Sequence, residues 1–357
     1  ARLFTLVHAR GATSSAIERM RITTSFLQHL PGAVRHYRYL LPLMPTAINR
    51  LTIPQDVDLV VSFSHAVAKS IQPPPGAPHV CYCFTPMRYA WHRREDYFVD
   101  RGRFPAATLG AVRNKMLDWI RDWDQMTADR VTHFLAISRT VAGRIAECYG
   151  RTSRVIYPPV DTEFYTPTPL PLETPSIVPL PEGAFYVCVS AMVPYKRIDL
   201  AVEACNRLGR QLVVIGDGPQ RNRLQRLAGP TVRFLGWTSD ETIRDHLRGA
   251  RALLFPGHED FGIVPLEAQA CGTPVLAFGQ GGATETILAD TPRRSGTGLF
   301  FEEQTVDSLC EGILGLEARL ESFDPRLARR QAERFATERF ERELLAYLDE
   351  VSLRAAG

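Results

Sequence analysis

Short apolar runs of strand length alternate with helical patterns along this chain, stop at a proline-rich stretch, and then begin again. In the first half the runs "RLFTLVH", "VDLVVSFS", "HVCYCF", "THFLAIS" and "SRVIYPP" are β-branched or aromatic. Between them lie helical stretches such as "TLGAVRNKMLDWIRDWDQMTADR" and "SRTVAGRIAECYG". The second half repeats the scheme with "AFYVCVSAM", "QLVVIG", "TVRFLG", "RALLFPG" and "TPVLAFG", separated by helical segments that several times end on glycine. Strands that alternate with helices are joined by crossovers, so they build a parallel sheet covered on both faces. The pattern therefore predicts an α/β chain of two doubly wound, Rossmann-like domains facing a crevice. Eight prolines between Pro158 and Pro181 read as an extended linker. The expected divisions are an N-terminal domain over 1–165, a linker over 166–182, a second domain over 183–331, and a closing helix over 332–357 that packs back on the N-terminal domain.

A length of 357 residues suits two ordinary domains. No apolar run is long enough to span a bilayer, and the N-terminus lacks a signal-peptide layout, so a cytoplasmic setting is expected. Seven cysteines, scattered and odd in number, point to reduced thiols. Cys81 and Cys83 share a strand face without a matching Cys or His pair, which reads as buried filler rather than a metal site. The net charge of +3 conceals two unlike halves. Residues 1–170 carry 21 Lys/Arg against 13 Asp/Glu, whereas residues 171–357 carry 21 against 26. In the basic half, "RMRITTSFLQHLPGAVRHYRYLLPLMPTAINRL" interleaves Arg, His and Tyr with Leu, Phe and Met. That mixture suits contact with anionic lipid headgroups at the inner face of a membrane, against the plainer reading of a helical subdomain with a solvated basic face. No recognised nucleic-acid-binding motif accompanies the charge, so nucleic acid is not an expected partner.

The stretch "GHEDFGIVPLEAQACGTPVLAFGQGG" places Glu259 and Glu267 around a glycine turn that opens an apolar helix. Pro265 fits the first turn, where a missing N–H costs nothing. The amides of Gly262, Ile263 and Val264 then form an anion site at the helix start. A carboxylate accepts hydrogen bonds from sugar or ribose hydroxyls but repels phosphate. Two acids flanking such amides therefore fit a nucleotide sugar better than a free nucleotide. Taken alone, Glu267 reads equally as an acid placed to suit the helix dipole.

This stretch resembles the E-x7-E motif of glycosyltransferase family 4, the retaining enzymes of GT-B architecture. The resemblance extends to "SAMVPYKRIDLAVEACNRLGRQLVVIGDGP", "FLGWTSDETIRDHLRGARALLFPG" and "YPPVDTEFY". "SFLQHLPGAVRHYRYLLPLMPTAI" and "CYCFTPMRYAWH" resemble its bacterial mannosyltransferase-like branch. The family implies transfer of a hexose, mannose from GDP-mannose in this branch, to a polyprenyl-diphosphate-linked saccharide in polysaccharide assembly. It implies that Glu259 holds the donor sugar, that Glu267 binds the ribose hydroxyls, and that Lys196 neutralises the departing pyrophosphate. Lys196 is one of three lysines in the chain; its plain reading is a solvated charge at a helix start. Gly216 and Gly218 in "VIGDGP" would make the tight turn beside the donor, and Trp237 and Thr238 would border the base. Ser138 would face the site from the N-terminal side, though an N-cap role suits it equally. Phe84, Thr85, Arg88 and Tyr89 would lie on the acceptor side. No metal is expected, since Lys196 and helix amides supply positive charge. The D-x-D pairs Asp56/Asp58 and Asp122/Asp124 read as solvated faces.

Three features depart from the family pattern. The sequence opens at "ARLFTLVHAR", similar to the family's second strand, so the first strand and its Gly-Gly loop are expected to be absent. Phe84 stands where many relatives have His, and Ala191 where many have an Arg that shares the pyrophosphate charge. Arg197 or Arg88 would have to compensate. These departures keep a second reading open, a GT-B-shaped binding or partner subunit with little catalysis of its own.

Overall fold

The apolar runs of both halves fold as parallel strands. The computed structural model describes residues 1–92, 106–167, 178–291 and 293–356. Contacts divide the chain into two units, Ala1–Ile156 with Leu344–Gly357, and Tyr157–Glu343.

In the second unit the strands are β7 (Phe185–Val189), β8 (Gln211–Ile215), β9 (Val232–Gly236), β10 (Ala252–Phe255), β11 (Val275–Phe278) and β12 (Gly298–Phe301). They form one six-stranded sheet in the order β12-β11-β10-β7-β8-β9, every neighbouring pair parallel. The chain begins at the centre, winds outward to β9, then returns and winds the other way to β12. β7, β10 and β11 are buried at every residue, as expected of strands covered on both faces. One face, carrying Tyr186, Cys188, Val214 and Leu254, packs on the helices Ile198–Leu208 and Val306–Glu317 through Ala201, Cys205 and Ile313. On the other face Phe185 meets His246 of the helix Asp240–Gly249 edge-on.

The first unit holds two sheets. β1 (Arg2–Thr5) pairs parallel with β2 (Arg21–Thr24). β3 (Val60–Ser64), β4 (His79–Cys83), β5 (His133–Ala136) and β6 (Ser153–Val155) form a four-stranded parallel sheet in that order. A groove of about 950 Å³ runs between them, lined by the consecutive residues Arg2–Thr5 on one side and Leu59–Phe63 on the other. A sheet face would present alternate residues, so consecutive ones mean that both sheets turn an edge to the groove.

Four expectations need correction. The boundary lies at Ile156/Tyr157 rather than at residue 165, because Tyr157–Tyr165 is tied to helices of the second unit. Val160 N donates to Phe335 O at 2.9 Å, Arg339 donates to Tyr157 O at 2.8 Å, and Arg329 donates to Thr162 O at 2.7 Å. The linker expected over 166–182 falls largely on residues 168–177, outside the described residues. The last helix, Thr337–Ala356, is divided, with residues from Leu344 onward grouped with the first unit. There Tyr347 meets His133 edge-on, and Arg154 lies 5.2 Å from the Tyr347 ring centre. Arg21–Thr24, inside the run read as a basic surface or helical subdomain, is a strand, consistent with its Ile-Thr-Thr. The rest of that run is mixed: Leu27, Ala47 and Ile48 are core, while Tyr39 is 84% exposed.

The fourth correction concerns Asp124. Expected on a solvated face, it is 0% exposed and paired at 3.0 Å with the equally buried Lys69. Trp91 Nε1 and the Tyr149 hydroxyl both donate to its other carboxylate oxygen, at 2.9 and 2.8 Å. Asp122, two residues away, is exposed and pairs with Arg121. All seven cysteines are buried free thiols.

Candidate active site

In a doubly wound sheet, ligands bind outside the carboxyl ends of the strands where the winding reverses. In the second unit that point lies between β7 and β10. β7 runs into Ser190–Val193 and then a 3-10 turn, Pro194–Lys196. β10 runs into Pro256–Phe261 and then the helix Ile263–Ala270. Lys196 and Glu259, read from the sequence as the reacting pair, form an ion pair across this switch point, with 19% and 9% of their side-chain surface exposed.

Glycines set the spacing. A Cβ on Gly257 would lie 3.0 Å from Lys196 Cα, so a side chain there would push the two loops apart. Gly282 N donates to Glu259 O at 2.9 Å, and a Cβ on Gly282 would lie 2.3 Å from Phe261 Cα. The closing "GQGG" of the motif thus fixes the backbone that carries Glu259. Gly216 and Gly218 follow β8 with φ of 127° and 158°. Their Cβ positions would lie 2.1 Å from Ser190 O and 2.6 Å from Met192 O, so only glycine fits beside the strand-end loop that leads to Lys196.

The helix Ile263–Ala270 opens on Gly262 in the left-handed region, φ 90°, and no side chain caps it. Trp237, just past β9, is 85% exposed, and Thr238 follows half-buried. Arg197 takes a left-handed backbone and bonds Asp199 and the Gln304 carbonyl.

Glu267 is largely enclosed. Burial and the nearby Asp240 charge push its carboxyl up to about 7, and only the Tyr165 hydroxyl bond pulls it back. The folded state therefore favours the neutral acid. This contribution to stability is complete below the unfolded value near 4.5 and is lost as pH rises toward 7. Glu267→Gln, neutral at every pH, should gain about 1–3 kcal/mol on the wild type between pH 5 and pH 8. Melting curves at the two pH values measure it, and an equal difference at both would exclude a neutral Glu267.

The first-unit candidates cluster at the carboxyl ends of β4 and β5. Ser138 is an N-cap: its buried Oγ accepts from Val141 N at 3.0 Å. Phe84 meets Tyr82 edge-on, and Thr85 Oγ1 accepts from Arg144 at 3.3 Å. Arg88 and Tyr89 open the short helix Arg88–Trp91. Sequence reading missed His65, which follows β3 one step beyond the Ser64–Cys83 register pair, level with Phe84. Its residue surface is exposed, yet partial desolvation by the packing around the ring, together with the Arg88 charge, lowers its pKa. Its signal was a histidine directly after the strand "VSFS". Tyr165 and Gln304 were also missed, because their partners are distant in sequence.

Two α/β units built on parallel strands, the second of them doubly wound, fit the GT-B fold, and solved glycosyltransferases share it. Sucrose-phosphate synthase from Thermosynechococcus elongatus superposes with a TM-score of 0.67 at 17% identity, over 99% of this chain and 89% of that one. Anabaena Alr3699/HepE, solved with UDP and glucose, gives 0.64 at 14% identity, over 98% and 100%. At such identities the likeness is one of fold. Residues 175–328 match the family model described as glycosyl transferases group 1. Among curated relatives, the "GDP-mannose-dependent alpha-(1-6)-phosphatidylinositol monomannoside mannosyltransferase" of Mycobacterium tuberculosis H37Rv is 30% identical over 201 residues, covering 50% of this chain and 51% of that protein. The Corynebacterium glutamicum "GDP-mannose-dependent monoacylated alpha-(1-6)-phosphatidylinositol monomannoside mannosyltransferase" is 37% identical over 145 residues, 36% of each chain. The chain thus spans about half, or less, of the length of these relatives.

Proposed function

We propose that this chain is a retaining mannosyltransferase that uses GDP-mannose and an anionic, lipid-linked saccharide acceptor. The observation that carries the reading is the Lys196–Glu259 pair at the reversal point of the second sheet, in a segment of glycosyl transferases group 1. In the absence of donor the two side chains neutralise each other. On donor binding Lys196 turns to the pyrophosphate and Glu259 to the sugar hydroxyls, so each exchanges one charge partner for another. The amides of Gly262, Ile263 and Val264 add donors for phosphate oxygens. Glu267 takes the ribose hydroxyls, Trp237 and Thr238 border the base, and Gly216 and Gly218 hold the neighbouring turn.

The bond that breaks joins the anomeric carbon to the pyrophosphate oxygen. The acceptor hydroxyl attacks from the same face and passes its proton to the departing phosphate. Stabilisation of that phosphate by Lys196 and helix amides is the main catalytic effect, with no metal in the step. On the acceptor side, Arg88, Tyr89 and Thr85 carry the polar contacts. Arg35, Arg38 and the exposed Tyr39 supply a basic, aromatic surface for anionic headgroups, which favours a peripheral place at the inner membrane face. Among the described residues no helix is long and apolar enough to cross a membrane.

Calorimetry with GDP and with UDP tests the donor. GDP is expected to bind at least about tenfold more tightly, a difference of about 1.4 kcal/mol. A preference for UDP would remove GDP-mannose. Nucleotide binding with no transfer from any donor would make the chain a binding subunit.

A further inference from the structure

Arg197 is the only described residue other than glycine with positive φ, at 50°. A left-handed arginine is costly and persists only where its surroundings enforce it. Here they do. Its guanidinium meets Asp199 at 3.2 and 3.4 Å and donates to Gln304 O at 3.3 Å. The Gln304 side chain in turn donates to Pro256 O at 2.8 Å. Gln304 itself is held at the end of β12, just before Thr305, which caps the helix Val306–Glu317.

These bonds form a line from the turn that carries Lys196, through the end of β12, to the loop that carries Glu259. Pro256 precedes Gly257, the residue whose missing side chain lets the two loops approach. Arg197 adjoins Lys196 directly. The strain therefore sits beside one reacting group, and the bonds that enforce it end beside the other.

We propose that Arg197 and Gln304 are positioning residues, a brace that fixes the Lys196 turn against the Glu259 loop. The brace rests on the reading of Lys196 and Glu259 as the reacting pair for its use, but its geometry can be tested without any ligand. The chain's three lysines make this practical. In protein labelled with ε-13C-lysine, three side-chain signals are expected, with Lys196 assigned by Lys196→Arg. Glu259→Gln gives the signal of Lys196 without its carboxylate partner.

In Arg197→Gly and in Gln304→Ala the Lys196 signal should move toward that unpaired position, while the signals of Lys69 and Lys115 stay. Arg197→Gly relieves the left-handed strain, so its melting temperature should hold near the wild-type value. Should it fail to fold, Gln304→Ala carries the test, since its backbone is unchanged. A Lys196 signal at the wild-type position in the folded variants overturns the brace. So does a shift in Arg197→Gly alone, which would make Arg197 an independent partner of the lysine. With GDP-mannose as donor, both variants should lose roughly 10²-fold in transfer, the scale of a misplaced reacting group. Shifted Lys196 signals in both variants, alongside a wild-type protein that transfers nothing from GDP-mannose, would leave the brace standing and sink the mannosyltransferase reading.

Discussion

Glu259→Ala and Lys196→Ala are each expected to lower kcat/KM for mannose transfer by about 10²–10³, the usual cost of removing one group that meets developing charge. In the proposed reaction Lys196 would face the charge that builds on the leaving pyrophosphate, so its loss should fall mainly on kcat. Glu259 would hold sugar hydroxyls before and during bond cleavage in that reaction, so its loss should raise KM as well. The pair is also partly enclosed, and each single change leaves the other charge without its partner. For that reason Lys196→Met combined with Glu259→Gln should melt higher than either single variant while remaining inactive. Steady-state rates with GDP-mannose, alongside melting curves, separate the two effects. Transfer at wild-type rates in either single variant would place the chemistry elsewhere in the chain.

Lys69→Met should destabilise the first unit by about 3–5 kcal/mol, the cost of stranding a buried charge. Lys69 is 1% exposed and its ammonium serves several partners. It pairs with Asp124 at 3.0 Å, donates to the Asp124 backbone carbonyl at 2.6 Å, and lies 4.7 Å from the Tyr149 ring centre. Removing it leaves Asp124 with two neutral donors, Trp91 and Tyr149, and no cation. Lys69→Met with Asp124→Asn should recover much of the loss, because no charge is then buried. Urea unfolding should show the transition of the first unit moving to lower denaturant while that of the second, which contains neither residue, holds. Equal shifts of both transitions would show that the pair supports the whole chain.

Much of the second unit was legible because local signals agreed with the fold. Apolar runs as in "FYVCV" and "ALLF" mark strands covered on both faces, and glycines after helices mark their ends. The Glu259 stretch was readable as a site since carboxylates, glycines and a helix start occur together within a short span. The features that escaped depend on contacts distant in sequence. Asp124 lies in an Arg/Asp-rich helix whose neighbours Asp122 and Arg121 are partly or fully exposed, and its cation comes from a segment far upstream. The proline-rich run marks where the backbone is extended but not where contacts change sides; Arg329 and Arg339 decide that by binding carbonyls of 157–165. The short strand Gly298–Phe301, with Gln304 after it, lacked a distinct pattern between turn residues. The role of Gln304 becomes visible only when β12 joins the sheet.

The groove in the first unit bears on how this chain behaves in company. Val60 N donates to Pro78 O on the β4 side, so the alternation of a parallel strand turns the amides of Val61 and Phe63 the other way, toward the groove. An outward-facing open edge invites pairing with any passing strand, and proteins commonly blunt such edges with charge or proline. Here the edges of β1 and β3 face a shared recess, with Arg2 and Asp56 paired at its rim. The open backbone edges of β1 and β3 thus border one recess rather than two separate faces of the first unit.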